Sequence, residues 1–311
     1  MGRFRVGSLL LAAAALLLSQ TGAAFADDGL LSADHPLAGR IYLPKTAEMI
    51  GADALFSRLS KADVVLLGEK HDNPDHHRLE ALVLRRLIES GRRPSVAFEM
   101  LKPDQMAGLR LFLADHPGDT KGLGEALGWS HSGWPSWEWY RPVFAQALLH
   151  GLPILSANLN SQDLRAVVRG QENADVQTLL SDPLPADADA ALAVEIREAH
   201  CGLLPDAAVP GMVRAQKARD GVMARALLAN GGPAVLVAGA GHTRTDRGVP
   251  AHLAYLAPGK TVLSLAFVEV SDGQADPGAY AGDGLPYDAV WFTARVPEED
   301  HCTQLGQVKL K

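Results

Sequence analysis

The sequence predicts an α/β fold: a mostly parallel central sheet flanked by helices, with a helical insertion or cap subdomain. Short, continuous apolar runs such as residues 64–67 and 234–238 are typical of parallel strands buried on both faces. Segments in which apolar residues recur at helical spacing separate these runs. Residues 64–98 follow the order strand, helix, strand, which requires a right-handed parallel crossover.

The elements are predicted in this order along the chain. A strand near residues 40–43 and a helix over 51–59 precede the first buried strand. The next helix begins after Asn73, a good N-cap residue, with Pro74 at its first position, and ends near residue 90. The remaining strands are predicted at residues 95–98, 152–157, 234–238, 261–270 and 288–294. The remaining helices are predicted at residues 106–113, 142–150, 161–169, 174–181, 187–199 and 209–229.

The first 26 residues predict a cleaved secretory signal. Arg3 and Arg5 precede an apolar stretch over residues 9–18, and an A-x-A site predicts cleavage after Ala26. No cysteine lies near this position, which disfavours a lipid anchor, so the expected location is periplasmic or secreted. Residues 27–311 are expected to form a single domain. Its sheet core is expected at about 37–100, 151–160 and 231–300, with helical insertions at about 101–150 and 161–230.

The net charge limits the partners that the protein can bind, and the cysteines indicate its compartment. The full chain has a net charge of −7, and without residues 1–26 it has 27 basic against 36 acidic residues, which gives −9. Such an acidic protein is a poor candidate for binding nucleic acid or an anionic membrane surface. The two cysteines, Cys201 and Cys302, fit an oxidising compartment and predict a disulfide.

The turn after the first buried strand has the densest set of chemically active side chains. It contains one Glu, two Asp and three His at the carboxyl end of a strand, where open α/β sheets place ligands and catalytic groups. The alternative is that Glu69 only caps the turn and that the histidines are solvated. The turn reads Gly68-Glu69-Lys70-His71-Asp72-Asn73-Pro74-Asp75-His76-His77.

Three other predicted strands also end in polar residues: Glu99, Asn158 with Asn160, and His242. Because the carboxyl ends of parallel strands share one edge, these side chains are expected to face one crevice with Glu69 and His71. Gln216, Arg219 and Asp220 either line this crevice or form salt bridges on a helix face.

The crevice is compatible with two kinds of chemistry. Glu69, His71 and His242 could hold a divalent metal ion that activates water. Without a metal, Glu69 could act as a general base oriented by one of the histidines. The alternative is a buried polar network that ties the strand ends together.

Four of the five tryptophans lie between residues 129 and 139. Clustered aromatic side chains suit a flat apolar ligand or a partner protein, and a tyrosine phenolate suits ferric iron. The alternatives are ordinary core packing for the tryptophans and surface positions for His76 and His77 at a helix terminus. The candidate contacts of an iron porphyrin are Tyr140, His76, His77, Trp134 and Trp137.

Several segments together resemble the ChaN-like haem-binding family of the haem-uptake/Tiki superfamily. The matching segments are the turn 68–77, residues 98–100, 133–140, 157–159, 199–202, 215–216, 219–220, 241–242 and 246–250. This resemblance implies haem binding, with two haems stacked face to face in a homodimer and held by tyrosine, although it does not fix which tyrosine. The wider superfamily is similar to erythromycin-esterase-like and Tiki hydrolases, and the set that matches them in kind and order is Glu69, His71, Glu99 and His242.

Three hypotheses follow. The first is a secreted or periplasmic haem-binding protein of haem or iron uptake, with a haem receptor or transporter as a further partner. The second is a metal-dependent hydrolase, an esterase or peptidase, that uses Glu69, His71, Glu99 and His242. The third is an interaction module whose tryptophans bind a partner protein. A Soret band on haem addition, chelator-sensitive turnover or a co-purifying partner would distinguish them.

Overall fold

One eight-stranded sheet organises the computed structural model, which describes residues 29–281, 284–297 and 302. The segment predicted as a signal lies outside these residues. The strand order is β2-β1-β8-β7-β3-β6-β4-β5. The strands are β1 (Ile41–Leu43), β2 (Glu48–Ile50), β3 (Val64–Glu69), β4 (Ser95–Phe98), β5 (Ile154–Ser156), β6 (Ala234–Gly239), β7 (Val262–Glu269) and β8 (Ala289–Thr293). All pairs from β8 to β5 are parallel, and β1 pairs antiparallel with β2 and β8, so the predicted mostly parallel α/β fold is confirmed.

The helices lie on both faces of this sheet and in two long connections. Helices α3 to α5 connect β4 to β5, and α6 to α9 connect β5 to β6. Among the described residues, no helix combines the length and the apolar composition needed to cross a bilayer. The helices are α1 (Ala52–Leu59), α2 (Pro74–Glu89), α3 (Met106–Asp115), α4 (Thr120–Ala126), α5 (Trp137–Leu149), α6 (Ser161–Arg169), α7 (Ala174–Leu179), α8 (Ala188–Ala199), α9 (Val209–Leu228) and α10 (Val249–Leu256).

Strand β3 is central, and both of its faces are buried. Successive side chains of a strand point to opposite faces, so Val65 and Leu67 join the core layer that includes α2 and α5. Val64 and Leu66 join the opposite layer with α9 and α10. This double burial explains why the strand is a continuous apolar run. The carboxyl end of β3 therefore emerges between two helical layers.

The connection from β5 to β6 forms the cap of the protein, defined here as helices α6 to α9. The predicted disulfide is present: Cys201, just after α8, is bonded to Cys302, with 5.6 Å between their Cα atoms. The bond therefore ties the end of α8 to a residue 101 positions away, close to the carboxyl terminus.

Helix α5 begins earlier than the sequence predicts. The predicted start was Pro142, but the helix begins at Trp137, where the Ser136 side chain accepts a hydrogen bond from the Glu138 amide (3.3 Å). Pro142 lies inside the helix, although proline cannot donate the usual backbone hydrogen bond there. The helix continues because its buried face packs on α2, with Tyr140 and Phe144 fully enclosed. Tertiary packing thus overrides the local signal.

A glycine at residue 68 is required by the close approach of a neighbouring turn. A Cβ atom added there would lie 2.3 Å from Thr243 Oγ1 and 3.0 Å from Ala240 Cα. We expect Gly68→Ala to lower the free energy of unfolding by about 1–3 kcal/mol, because overpacking forces the buried backbone to shift. Gly259→Ala, at an exposed glycine with open space around it, is the control. Equal urea unfolding curves for the two variants would contradict this prediction.

Candidate functional site

The turn after β3 is held to the sheet by its own polar side chains. Asn73 accepts a hydrogen bond from the Asp75 amide (2.9 Å) and caps α2 as predicted, while its Nδ2 donates to Glu269 Oε1 (2.7 Å). His76 Nδ1 accepts from the Lys70 amide (2.8 Å), and its Nε2 contacts Thr293 Oγ1 (2.9 Å). Burial lowers the pKa of His76 to about 3, so this histidine is neutral and structural in its contacts.

Glu69, at the end of β3, is the centre of a buried polar cluster. Its Oε1 accepts from the Tyr140 hydroxyl (2.7 Å) and lies 2.6 Å from His71 Nδ1. Its Oε2 lies 3.0 Å from His77 Nδ1, which also contacts Glu80 Oε2 (3.1 Å). His77 Nε2 lies 3.0 Å from the His71 carbonyl oxygen, which can only accept. His77 Nε2 is therefore a donor, and its Nδ1 faces the carboxyl groups of both Glu69 and Glu80.

The charges in this cluster are set by their neighbours. Burial alone would raise the pKa of Glu69, but the His77 charge and the hydrogen bond from His71 hold it well below its usual range. Burial and the Glu69 charge raise the pKa of Glu80 well above its usual range. The pKa of His77 is also raised well above its ordinary value, because Glu69 outweighs the effect of burial. These shifts favour an ionised Glu69 beside a protonated His77, with the proton of the two carboxyl groups held on Glu80.

Glu99, at the end of β4, is the centre of a second cluster. Its Oε1 accepts from Arg219 and lies 3.5 Å from His242 Nε2. Its Oε2 accepts from the Gly239 amide (2.8 Å) and lies 3.7 Å from His71 Nε2. Burial would raise the pKa of Glu99, but His242, Arg219 and His71 hold it well below the usual range, so it is a carboxylate.

Helix α9 supplies three side chains to this second cluster. Residues three and four positions apart share one face of a helix, and this face holds Gln216, Arg219 and Asp220. Asp220 Oδ1 lies 2.5 Å from His242 Nδ1, and Gln216 Nε2 lies 3.0 Å from the same nitrogen. Arg219 also donates through Nε to Asn158 Oδ1 (3.3 Å). Burial alone would lower the pKa of His242, but Glu99 and Asp220 raise it to about 9.

His71 connects the two clusters and faces the open side of the crevice. Its ring lies between Glu69 and Glu99, and its side chain is 34% exposed, against 6% for His242. Burial alone would lower the pKa of His71, but the hydrogen bond to Glu69 and the charge of Glu99 raise it above its ordinary value. A Cβ atom at Gly239 would lie 3.0 Å from His71 Nε2, so the glycine leaves room for the ring.

The structure thus brings Glu69, His71, Glu99 and His242 to one crevice. Among the described residues, the group whose ligand atoms all lie within 4.8 Å of one another is Glu69, His77 and Glu80. His77 has no lone pair for a cation in its present contacts. The metal ligands predicted from sequence were Glu69, His71 and His242, and here both His71 and His242 contact Glu99.

The residues predicted to contact a porphyrin lie at different depths. Tyr140 is fully buried and donates to Glu69, and His76 and His77 are also fully buried. Trp137 is half-buried and donates through Nε1 to the Thr120 carbonyl (2.9 Å). Trp134 is half-buried and packs edge-on against His71, with ring centroids 4.9 Å apart. Of these five, Trp134 is the one that is both partly exposed and packed against the His71 ring.

Glu80 is a member of the first cluster that sequence reasoning missed. Its position three residues before Val83 and four before Leu84 lies on the buried stripe of α2. A carboxylate at such a position is the signal that could have identified it, because a buried carboxyl group needs a partner. His77, three residues earlier on the same helix, supplies that partner (3.1 Å).

Comparison with known proteins identifies relatives of this arrangement. Residues 55–253, more than half of the chain, match the family described as haem-binding uptake, Tiki superfamily, ChaN. A solved structure of ChaN from Campylobacter jejuni, described as cofacial haem binding, aligns with a TM-score of 0.66 and 24% identity, covering 81% of this chain and 95% of that one. No curated protein sequence matches the chain significantly.

Two further solved structures are more remote. The type III effector HopBA1 aligns with a TM-score of 0.42 and 17% identity, covering 78% of this chain and 93% of that one. A mutant of the erythromycin esterase EreC in its open conformation aligns with a TM-score of 0.43 and 14% identity, covering 85% and 86%. At this level of similarity, neither informs the chemistry of the crevice.

The paired state of His242 predicts a pH-dependent stability. A histidine whose pKa rises from 6.5 to about 9 on folding stabilises the protein fully below pH 6.5 and loses this effect as the pH passes 9. We expect Asp220→Asn to lower the free energy of unfolding at pH 6 by on the order of 2–3 kcal/mol, and by much less at pH 9.5. Urea unfolding of both proteins at the two pH values measures this, and a pH-independent difference would contradict it.

Proposed function

Because the chain belongs to the haem-binding uptake, Tiki superfamily, ChaN family, we propose that it binds haem as an exported protein of haem or iron uptake. The family match over residues 55–253 is the observation that carries this proposal, since it spans both clusters of the crevice. Export is supported by the signal predicted at residues 1–26 and by the disulfide between Cys201 and Cys302, a bond typical of oxidising compartments. A homodimer around haem and a haem receptor or transporter belong to the same proposal.

The crevice contains a side chain suited to hold the iron. Haem, when bound, supplies an iron that takes an axial nitrogen, oxygen or sulfur ligand from the protein. Histidines that bind metal usually have their other nitrogen held by a carboxylate, as Glu69 holds His71 Nδ1 at 2.6 Å. His71 is also partly exposed, and Trp134 provides an aromatic wall beside it. We therefore favour His71 Nε2 as the iron ligand.

Tyr140 is the alternative ligand predicted from the sequence. Its hydroxyl donates to Glu69 (2.7 Å), and it would have to leave this bond to reach an iron. Burial and the Glu69 charge raise the pKa of Tyr140, which disfavours the phenolate that ferric iron binds. Substitution of each residue in turn separates the two candidates.

Haem titration of residues 27–311, followed at the Soret band, tests the proposal. We expect saturable binding, weakened about tenfold or more by His71→Ala because an axial ligand is lost, and little changed by Tyr140→Phe. His150→Ala, at an exposed histidine at the end of α5, is the control. Absence of a saturable Soret change in the unmodified protein would overturn haem binding. Loss of binding in Tyr140→Phe alone would assign the ligand to Tyr140 instead.

A second candidate function is hydrolysis, and the chain of contacts from Asp220 through His242 to Glu99 favours it. These contacts place the His242 imidazolium and the Arg219 guanidinium beside the Glu99 carboxylate, where the two cations could stabilise an oxyanion. Across the crevice, Glu69 orients His71, whose deprotonated form could act as the general base on water. A divalent metal at Glu69, His71 and His242 remains part of this candidate as predicted from the sequence.

The hydrolase candidate predicts that Glu69→Gln abolishes turnover, because a neutral amide cannot orient and polarise His71 as a carboxylate does. A panel of ester and peptide substrates, assayed with and without a chelator, measures this and shows whether a metal takes part. Glu138→Gln, at an exposed residue paired with Arg141, is the matched control. Turnover that survives in Glu69→Gln would remove Glu69 from the mechanism. No turnover in the unmodified protein would reject the candidate.

A further inference from the structure

A cavity of about 310 Å³ lies inside the cap, between α6, α8 and α9. Most of its wall is apolar, with a thioether among aliphatic side chains, as in sites that bind the apolar part of small molecules. The larger apolar lining residues are Leu164, Val168, Leu192, Ile196 and Met212. None of the functions discussed above uses this cavity.

The cavity reaches the crevice through two residues of α9. Gln216 and Arg219 line the cavity, and both also belong to the cluster around Glu99. The Arg219 guanidinium donates through Nε and Nη2, while its Nη1 has no hydrogen-bond partner among the residues that the structure describes. The guanidinium therefore has a donor left at the point where cavity and crevice meet.

The other polar side chains in the wall already have partners. Glu195 is paired with Arg247 (2.5 Å). His200 uses Nδ1 for a contact with the Ile196 carbonyl oxygen (2.7 Å), which makes this nitrogen the donor. The cavity therefore combines an apolar wall with one cationic group that can still donate.

A second cavity, of about 460 Å³, lies between α8 and α9 and has more charged side chains in its wall. Its cationic side chains are Arg197, Lys217 and Arg214. Arg197 and Lys217 are paired with Asp206 (3.3 Å) and Asp189 (2.8 Å) in the same wall, whereas the partner of Arg214, Glu172, does not line the cavity. The cap cavity differs in having two such charged side chains in its wall, Glu195 and Arg219, against five in the second cavity.

We propose that the cap cavity is a binding site for an anionic amphiphile of the aliphatic carboxylate class. The apolar chain lies among the side chains of α6, α8 and α9, and the carboxylate accepts hydrogen bonds from Arg219. Arginine and carboxylate form strong, charge-assisted hydrogen bonds, which gives the site its preference for an anion. This site differs from the one at His71 and Trp134, and it does not depend on haem binding.

Calorimetric titration of the unmodified residues 27–311 with decanoate, below its aggregation concentration, tests this site. We expect saturable binding of one decanoate, weaker binding of uncharged decanol and no binding of acetate. Ala199→Trp, at an exposed residue of the cavity wall at the end of α8, should weaken decanoate binding about tenfold or more because the indole fills the entrance. Ala190→Trp, at an exposed position on the same helix that lines the second cavity, is the matched control.

Three outcomes of the calorimetric titration would overturn the proposal. The first is the absence of saturable decanoate binding, and the second is equal binding by the two tryptophan variants. The third is decanol binding as tight as that of decanoate, because the charge of the ligand would then play no part. A haem titration in the presence of saturating decanoate adds a further check: unchanged haem binding supports separate sites, and competition would overturn the assignment of the cavity to an aliphatic carboxylate.

Discussion

The buried charge of Glu69 is the constraint on which the rest of the crevice depends. A carboxylate at the end of a central strand, with 2% of its surface exposed, is stable only if protein groups replace the water it has lost. Tyr140 from α5, His77 from α2 and His71 from the turn provide this replacement. Each contact also fixes the position of the element that carries it. The charge therefore ties α5, α2 and the turn together at this edge of the sheet.

The second cluster meets the same requirement at the end of β4, which is separated from β3 by β6. Glu99 is as deeply buried as Glu69, and its compensation comes from Arg219, His242 and a backbone amide. Arg219 lies on α9 in the cap, so the ionisation of Glu99 couples the cap to the sheet. His71 lies between the two carboxylates and contacts both. A change in the protonation of this one ring alters the electrostatic balance of both clusters.

The residues at the strand ends of this site can be predicted from local sequence, whereas the hydrogen bonds that join them to distant segments cannot. Glu69 and Glu99 follow apolar runs, and His242 follows a third, so topology alone brings them to one edge. The bond from Tyr140 to Glu69 joins residues 71 positions apart, and no local periodicity encodes such a pair. The start of α5 was misplaced for a related reason, because Pro142 ends helices locally while packing against α2 sustains this one. Helix spacing places Gln216, Arg219 and Asp220 on one face but does not show its direction, so the sequence alone does not decide between the crevice and the surface.

Haem binding and general-base chemistry make the same demand on one nitrogen. Iron ligation needs a lone pair on His71 Nε2, and so does a general base. The two carboxylates that hold the ring raise its pKa and favour the protonated form, in which this lone pair is absent. A ligand that approaches Nε2 must therefore displace a proton as well as enter the space beside Glu99, 3.7 Å away. In this crevice the protonation of His71, more than its position, therefore decides whether the geometry can serve either function.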